Sequence, residues 1–115
     1  MSREWIIRVL VGFGLKHRDA QVYVFLAKTG PQKARTIASQ LGIYKQQLYR
    51  SLKTLQNKGM VNATFEHPAF FSAVSLEKVI DQFIETKKEE AQHIEKNKDE
   101  ILSSWQAVLI EDATI

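Results

Sequence analysis

The amino-acid sequence predicts a mainly α-helical fold with a small β-hairpin and a long C-terminal coiled-coil helix. Three patterns indicate this fold. Apolar residues recur at helical spacings of three and four through residues 3–57. Residues 60–74 contain two short runs that can alternate as strands, separated by a turn-like segment. Residues 76–109 contain no glycine or proline, so nothing there is expected to break a helix.

Two helices are predicted before residue 30. Ser2 can cap the first, over residues 3–13, and Trp5 is expected on its apolar face, in the core or in an interface. The second should cover residues 17–29. It ends at Gly30 because glycine closes a helix, and Pro31 cannot continue one.

The next two helices are predicted to form a tight pair. Ile37, Ala38 and Leu41 have the spacing of one apolar stripe. Gly42 follows where the helix must stop, because glycine adopts the left-handed conformation without a steric penalty. The second helix begins near residue 44 and ends at Gly59. Its buried face should consist of Leu48, Leu52 and Leu55.

The opposite face of this second helix is polar and basic. It contains Gln46, Arg50, Lys53 and Asn57, with Lys45, Gln47 and Tyr49 on its flanks. Side chains of these types can hydrogen-bond base edges in a major groove. The alternative is an ordinary helical hairpin with a solvated face. Such a face usually mixes both signs of charge, and no acidic residue lies between Ile43 and Gly59, so the pattern favours nucleic-acid binding.

After the helical pair, residues 60–65 and 70–74 predict two strands, and residues 66–69 predict the turn between them. Helices followed by such a hairpin are typical of a winged helix-turn-helix. Ser75 can then cap a helix of residues 76 to about 109. We therefore expect a DNA-binding domain at residues 1–75 and a dimerisation helix at residues 76–115.

The long helix carries a heptad seam that lasts about four heptads. Its apolar members are Ile80, Ile84, Ala91, Ile94, Ile101, Trp105 and Val108, and Lys87 and Lys98 interrupt it. So much apolar surface on one helix needs a partner, which favours a homodimer. The alternative is one amphipathic helix that folds back on the DNA-binding domain.

Charge is distributed unevenly along the chain of 115 residues. Residues 1–75 contain 11 Lys and Arg against 3 Asp and Glu, whereas residues 76–115 contain 5 against 10. The basic part would attract polyphosphate and the acidic part would be repelled by it. The absence of cysteine excludes disulfides and fits a cytoplasmic protein. No apolar segment approaches the length of a membrane span, so we expect no membrane partner.

Motifs for catalysis are missing from the sequence. There is no Gly-rich phosphate loop and no nucleophile with a neighbouring base. His17, His67 and His93 lie far apart without cysteines, so they lack metal-ligand spacing and are expected on the surface. We predict no enzyme activity, no catalytic residue, no cofactor and no metal.

The stretch from Leu15 to Val61 resembles the DNA-binding domain of TrmB-type transcription regulators, which are largely archaeal and often sugar-responsive. The matching positions include Gly30-Pro31, Gly42-Ile43, Tyr49 and Lys58-Gly59-Met60-Val61. The resemblance covers residues 13 to about 85 and implies a winged helix-turn-helix that binds DNA.

Some residues depart from the family pattern. Tyr44 stands where the family usually has proline, and Lys33 where it has a capping hydroxyl. The wing tip, Glu66-His67-Pro68, has no Lys or Arg, which puts wing contact with phosphate in doubt. Larger family members continue into an effector-binding domain. If the sequence is the whole chain, we expect a regulator without a small-molecule effector.

We predict a homodimeric transcription regulator that binds double-stranded DNA sequence-specifically, in the cytoplasm and on the nucleoid. Base contacts are expected from Gln46, Gln47 and Arg50, because the start of the second helix enters the major groove. Phosphate contacts are expected from Lys33, Arg35, Lys45, Tyr49 and Lys53. Tyr49 could instead pack against the wing. The alternatives are a protein-interaction winged helix in a transcription or repair assembly and a sequence-indifferent architectural DNA binder.

Overall fold

The computed structural model describes residues 2–113, with the side chains of residues 2–111. The elements in chain order are α1 (Arg3–Gly12), α2 (His17–Thr29), β1 (Gln32–Lys33), α3 (Ala34–Leu41), α4 (Lys45–Asn57), β2 (Val61–Ala63), β3 (Phe70–Ala73), α5 (Leu76–Lys96) and α6 (Lys98–Ala113). The described residues fall into two compact units that divide between Ile80 and Asp81. We call them the N-terminal unit and the C-terminal unit.

The core of the N-terminal unit lies where α2 packs on α1, α4 and β3, and where α3 packs on α4. Its side chains are almost entirely apolar, which makes their removal from water the main stabilising term. The largest side chains in it include Leu10, Tyr23, Leu26, Ile37, Leu48, Leu52, Leu55 and Met60. Val79 is also fully buried, so the first turn of α5 belongs to this unit.

Ser2 caps helix α1, and its Oγ accepts a hydrogen bond of 3.4 Å from the Trp5 N–H. The predicted cap is therefore confirmed. The core position predicted for Trp5 is wrong, since 43% of this residue is exposed, and its position in an interface stays a prediction. Ile7 and Leu10 form the buried face instead. Trp5 precedes Ile7 by two residues, which puts it on the far side of a helix with 3.6 residues per turn.

The predicted hairpin is present, but the sheet has a third strand and the order β1-β3-β2, with both pairs antiparallel. Lys33 of β1 pairs with Phe70, and Val61 of β2 pairs with Ala73. Strand β1 contains two residues, which is too few for alternation to be visible in a sequence. Its pairing puts Lys33 directly beside the wing.

Tyr23 connects α2 to the end of β3. Its phenol O–H donates a hydrogen bond of 2.6 Å to the Val74 carbonyl, and the Val74 N–H donates one of 2.8 Å to the Met60 carbonyl. Burial raises the pKa of the Tyr23 phenol above 10.0. The folded chain therefore holds the phenol proton more tightly than the unfolded chain does.

The C-terminal unit is helical, but the predicted continuous helix is wrong at one residue. Asn97 forms a turn between α5 and α6. Its Nδ2 donates a hydrogen bond of 2.8 Å to the His93 carbonyl, which also accepts the Asn97 N–H at 3.2 Å. An asparagine side chain that competes for a backbone acceptor favours such an interruption.

We predict that Tyr23→Phe lowers stability by about 0.5–1.5 kcal/mol at neutral pH, because the Val74 carbonyl loses its donor. The wild-type contribution is complete below about pH 10 and is lost as the pH rises through the raised pKa of Tyr23, because the unfolded chain loses the phenol proton first. Urea unfolding between neutral pH and pH 11 should therefore show a steeper alkaline decline for wild type than for Tyr23→Phe. Tyr44→Phe, which changes an exposed tyrosine, should follow wild type. Equal declines in all three proteins would contradict this role for Tyr23.

Candidate nucleic-acid interface

The turn between α3 and α4 has the geometry that the sequence predicts. Gly42 adopts φ 63° and ψ 37°, in the left-handed region where a Cβ is penalised. The Ile43 N–H donates a hydrogen bond of 3.1 Å to the Ala38 carbonyl, which closes the end of α3. Tyr44 then leads into α4. This turn places α3 against α4 as a helix-turn-helix.

Helix α4 has one buried face and one open face. The buried residues are Leu48, Ser51, Leu52 and Leu55, at positions i, i+3, i+4 and i+7. The line opposite consists of Gln46, Arg50, Lys53 and Asn57, and all four are exposed. We call this line the outer face of α4. Gln47 and Tyr49 are exposed on its two flanks.

The outer face of α4 is not covered or neutralised within the described part of the chain. Both salt bridges found among residues 2–111, Lys87–Glu90 and Lys88–Glu85, lie in the C-terminal unit. The sequence has no Asp or Glu from Ala20 to Phe65. Arg50 and Lys53 are exposed, and neither forms a salt bridge with a described side chain.

A groove of about 580 Å³ lies between the start of α3, the N-terminal half of α4 and the wing. It is lined by residues of three kinds, cationic, aromatic and small: Lys33, Ala34, Arg35, Thr36, Lys45, Tyr49, His67, Pro68, Ala69 and Phe71. Four of the five predicted phosphate contacts thus share one groove, and Lys53 lies outside it. His67 also lines this groove, and the sequence gives no sign of it because the wing tip contains no Lys or Arg. We call this space the wing groove.

The helix ends at the wing groove add positive character. Lys33 precedes α3 and Tyr44 precedes α4, and neither side chain caps its helix. The first turns of both helices contain no acidic residue. Their N–H groups and partial positive charge therefore remain available to an anion. The Lys33 Nζ lies 5.3 Å from the centre of the Phe70 ring, which holds the Lys33 stem beside the sheet.

Tyr49 lines the wing groove and is 47% exposed. Its hydroxyl has no hydrogen-bond partner among the residues that the structure describes. The position beside Pro68 and Phe71 leaves both predicted roles open, packing on the wing and contact with phosphate. Gln47 lies on the opposite flank of α4, away from the groove.

A hydrogen bond that the sequence did not reveal fixes α4 from the inside. The Arg18 Nε donates a bond of 3.0 Å to the Ser51 Oγ, and Ser51 is completely buried. A serine at the edge of a leucine stripe has no pattern that indicates a partner 33 residues earlier. The bond ties α2 to the inner side of the helix whose outer face is basic.

We predict that Ser51→Ala destabilises the protein by about 1 kcal/mol, because the Arg18 guanidinium loses its acceptor. Ser39→Ala, at an exposed position of α3, should stay within about 0.5 kcal/mol of wild type. Urea unfolding measures both. Equal stabilities for the two variants would show that the Arg18–Ser51 bond contributes little.

His17, His67 and His93 are exposed, as predicted. No group of three His, Asp or Glu side chains in residues 2–111 could hold a metal ion. Within the same described range, no helix combines the length and apolar character that a bilayer crossing requires.

Residues 10–77 match the model of the sugar-specific transcriptional regulator TrmB family. The chain belongs to the TrmB family. The match covers the helix-turn-helix, the wing groove and the start of α5. It confirms the predicted family and the winged-helix class of the N-terminal unit.

Two TrmB-type relatives and one more distant structure extend this result. TrmBL1, an HTH-type sugar-sensing transcriptional regulator of Pyrococcus furiosus, is 29% identical over 96 residues, which are 84% of this chain and 28% of that protein. TrmBL2, an archaeal chromatin protein whose structure shows a novel mode of DNA binding, superposes with a TM-score of 0.75 at 28% identity, over 96% of this chain and 46% of that one. A transcriptional regulator of Thermotoga maritima shares the fold at 19% identity, with a TM-score of 0.58 over 98% of this chain and 88% of that one.

The chain spans less than a third of TrmBL1 and less than half of TrmBL2. These TrmB-type relatives are a regulator and a chromatin protein rather than enzymes. The prediction that this chain works without an effector-binding domain stays a prediction.

Proposed function

We propose that this protein is a transcription regulator that binds double-stranded DNA sequence-specifically, with α4 in the major groove. The observation that carries the proposal is the outer face of α4, which is exposed and polar. In addition, the sequence has no Asp or Glu from Ala20 to Phe65. A helix of this kind fits the major groove and can hydrogen-bond base edges. A protein of this function acts where the genome lies, on the nucleoid.

In this proposal Gln46, Gln47 and Arg50 contact bases from the first two turns of α4. A glutamine can form two hydrogen bonds with adenine, and an arginine can form two with guanine. The cations of the wing groove, Lys33, Arg35 and Lys45, with Tyr49 and Lys53, contact phosphates and fix the register of α4 on the duplex.

We further propose that residues 76–115 form a homodimer while residues 1–75 bind DNA. The supporting observation is the exposed apolar surface of the C-terminal unit, which a monomer leaves in water. The exposed residues include Ile84, Ile94, Ile101, Leu102, Trp105, Val108 and Leu109. Ile80 and Ala91 complete the seam. Two copies of α4 would then enter successive major grooves about 34 Å apart.

Sequence-indifferent DNA binding is the second candidate. TrmBL2, at 28% identity, is a chromatin protein. A sequence-indifferent binder uses phosphate contacts rather than base contacts. The protein-interaction alternative rests on the wing tip, which has no Lys or Arg, and on the acidic long helix, which would dock a basic partner. Each candidate gives a different result when binding to selected and random duplexes is compared.

We predict that Arg50→Ala weakens binding to a duplex selected from random DNA by about 1–3 kcal/mol, and weakens binding to random duplex far less. Arg8→Ala is the matched control, since it removes the same charge from an exposed position of α1. It should leave the preference for the selected duplex unchanged. Fluorescence anisotropy with both duplexes, at low and moderate salt, measures these affinities.

Equal affinity of the wild-type protein for every duplex, with a strong salt dependence, would replace sequence-specific binding by the architectural candidate. No binding even at low salt would reject both DNA-binding candidates and leave the protein-interaction one.

We predict that Ile101→Asp converts the dimer into a monomer, because burying two carboxylates in the seam costs several kcal/mol. Ser103→Asp adds the same charge to α6, two residues away and therefore on the other side of the helix. It should stay dimeric. Light scattering coupled to size exclusion measures the mass, and a monomeric wild type would contradict the proposed dimer.

A further inference from the structure

The wing contributes a titratable side chain to the wing groove. His67 lines the groove together with Lys33, Arg35 and Lys45. Neither wing-tip neighbour of His67 is a cation, since Glu66 precedes it and Pro68 follows it. Glu66 is absent from the groove lining. An imidazole is therefore the one wing group that can add positive charge to this groove.

We infer that His67 binds a DNA phosphate in its protonated form, so that the wing strengthens DNA binding only as the pH falls. The inference rests on the proposed function, because it needs the wing groove to hold the backbone of a duplex. It assigns the wing a contact that its lack of Lys and Arg had put in doubt.

The charges around His67 explain why proton uptake and DNA binding are linked. Lys33 on β1, Arg35 on α3 and Lys45 on α4 face the same groove. A phosphate bound there accepts a stronger hydrogen bond from an imidazolium than from a neutral imidazole, so phosphate binding favours proton uptake. Tyr49 also faces the groove, and Glu66 is adjacent on the wing.

The protonation of His67 can be distinguished from that of the other groove side chains by the pH range in which it occurs. Histidine ordinarily changes charge between about pH 5.5 and 7.5. Lysine, arginine, tyrosine and glutamate side chains ordinarily titrate outside that range. A change in affinity across this interval that disappears when one histidine is replaced therefore reports that histidine, and the chain contains three histidines to compare.

The test is fluorescence anisotropy with one duplex at constant ionic strength, from about pH 8 to about pH 5.5. Wild type should bind about three- to fivefold more tightly per N-terminal unit at the acidic end, the size expected of one solvent-exposed ion pair. His67→Gln should lose this gain. His17→Gln, which removes a histidine from α2 and outside the wing groove, should keep it.

A second variant keeps the test decisive. His67→Lys carries a permanent charge, so it should bind tightly at both ends of the pH range, with a slope near zero. If wild type and His67→Gln both bind DNA and their affinities depend on pH to the same extent, the inference is overturned and the proposed function remains intact. Failure of wild type to bind any duplex at any pH would overturn the proposed function and the inference with it.

Discussion

The packing of the leucine face of α4 on the core fixes the direction in which the outer face of α4 points. Leu48, Leu52 and Leu55 are fully buried, and each such side chain contributes about 1.5–3 kcal/mol through removal from water. The Arg18–Ser51 bond adds a polar constraint on the same side. A helix held by this stripe cannot rotate without exposing leucines and burying cations, and both changes are costly. The outward direction of Gln46 and Arg50 is therefore a consequence of the core.

Electrostatics then determines what the outer face can bind. Surface charges are screened over about 8–10 Å at physiological salt, so the charges near the outer face matter most. The cations of α4 and of the wing groove lie in a stretch of sequence, Ala20 to Phe65, that contains no Asp or Glu. In the proposed complex, a dense line of phosphates would neutralise several of them at once and release counterions. The wing groove and the outer face of α4 would share one duplex, the groove for register and the helix for bases.

Helices α1 to α4 and the hairpin could be predicted because glycines and apolar spacings mark them clearly, as at Gly42 and in the leucine stripe of α4. Strand β1 could not, since two residues have no periodicity and the pairing partner lies in β3. At the turn, the Asn97 side chain donates a hydrogen bond to the His93 carbonyl, which no sequence spacing shows. Trp5 was assigned by hydrophobicity, whereas Ile7 and Leu10 decide which side of α1 is buried. The wing groove could not be predicted from the sequence, because its lining comes from three separate segments, residues 33–36, 45–49 and 67–71.

The most direct test of the central claim is amide chemical-shift mapping by NMR on the ¹⁵N-labelled full chain, as a short duplex is added. The claim is that the outer face of α4 meets DNA while the opposite side of the helix stays on the core. The account predicts the largest shifts at the amides from Lys45 to Arg50 and around Lys33, with little change at the amides of α1 and α6. Shifts confined to α5 and α6, with α4 unchanged, would contradict it.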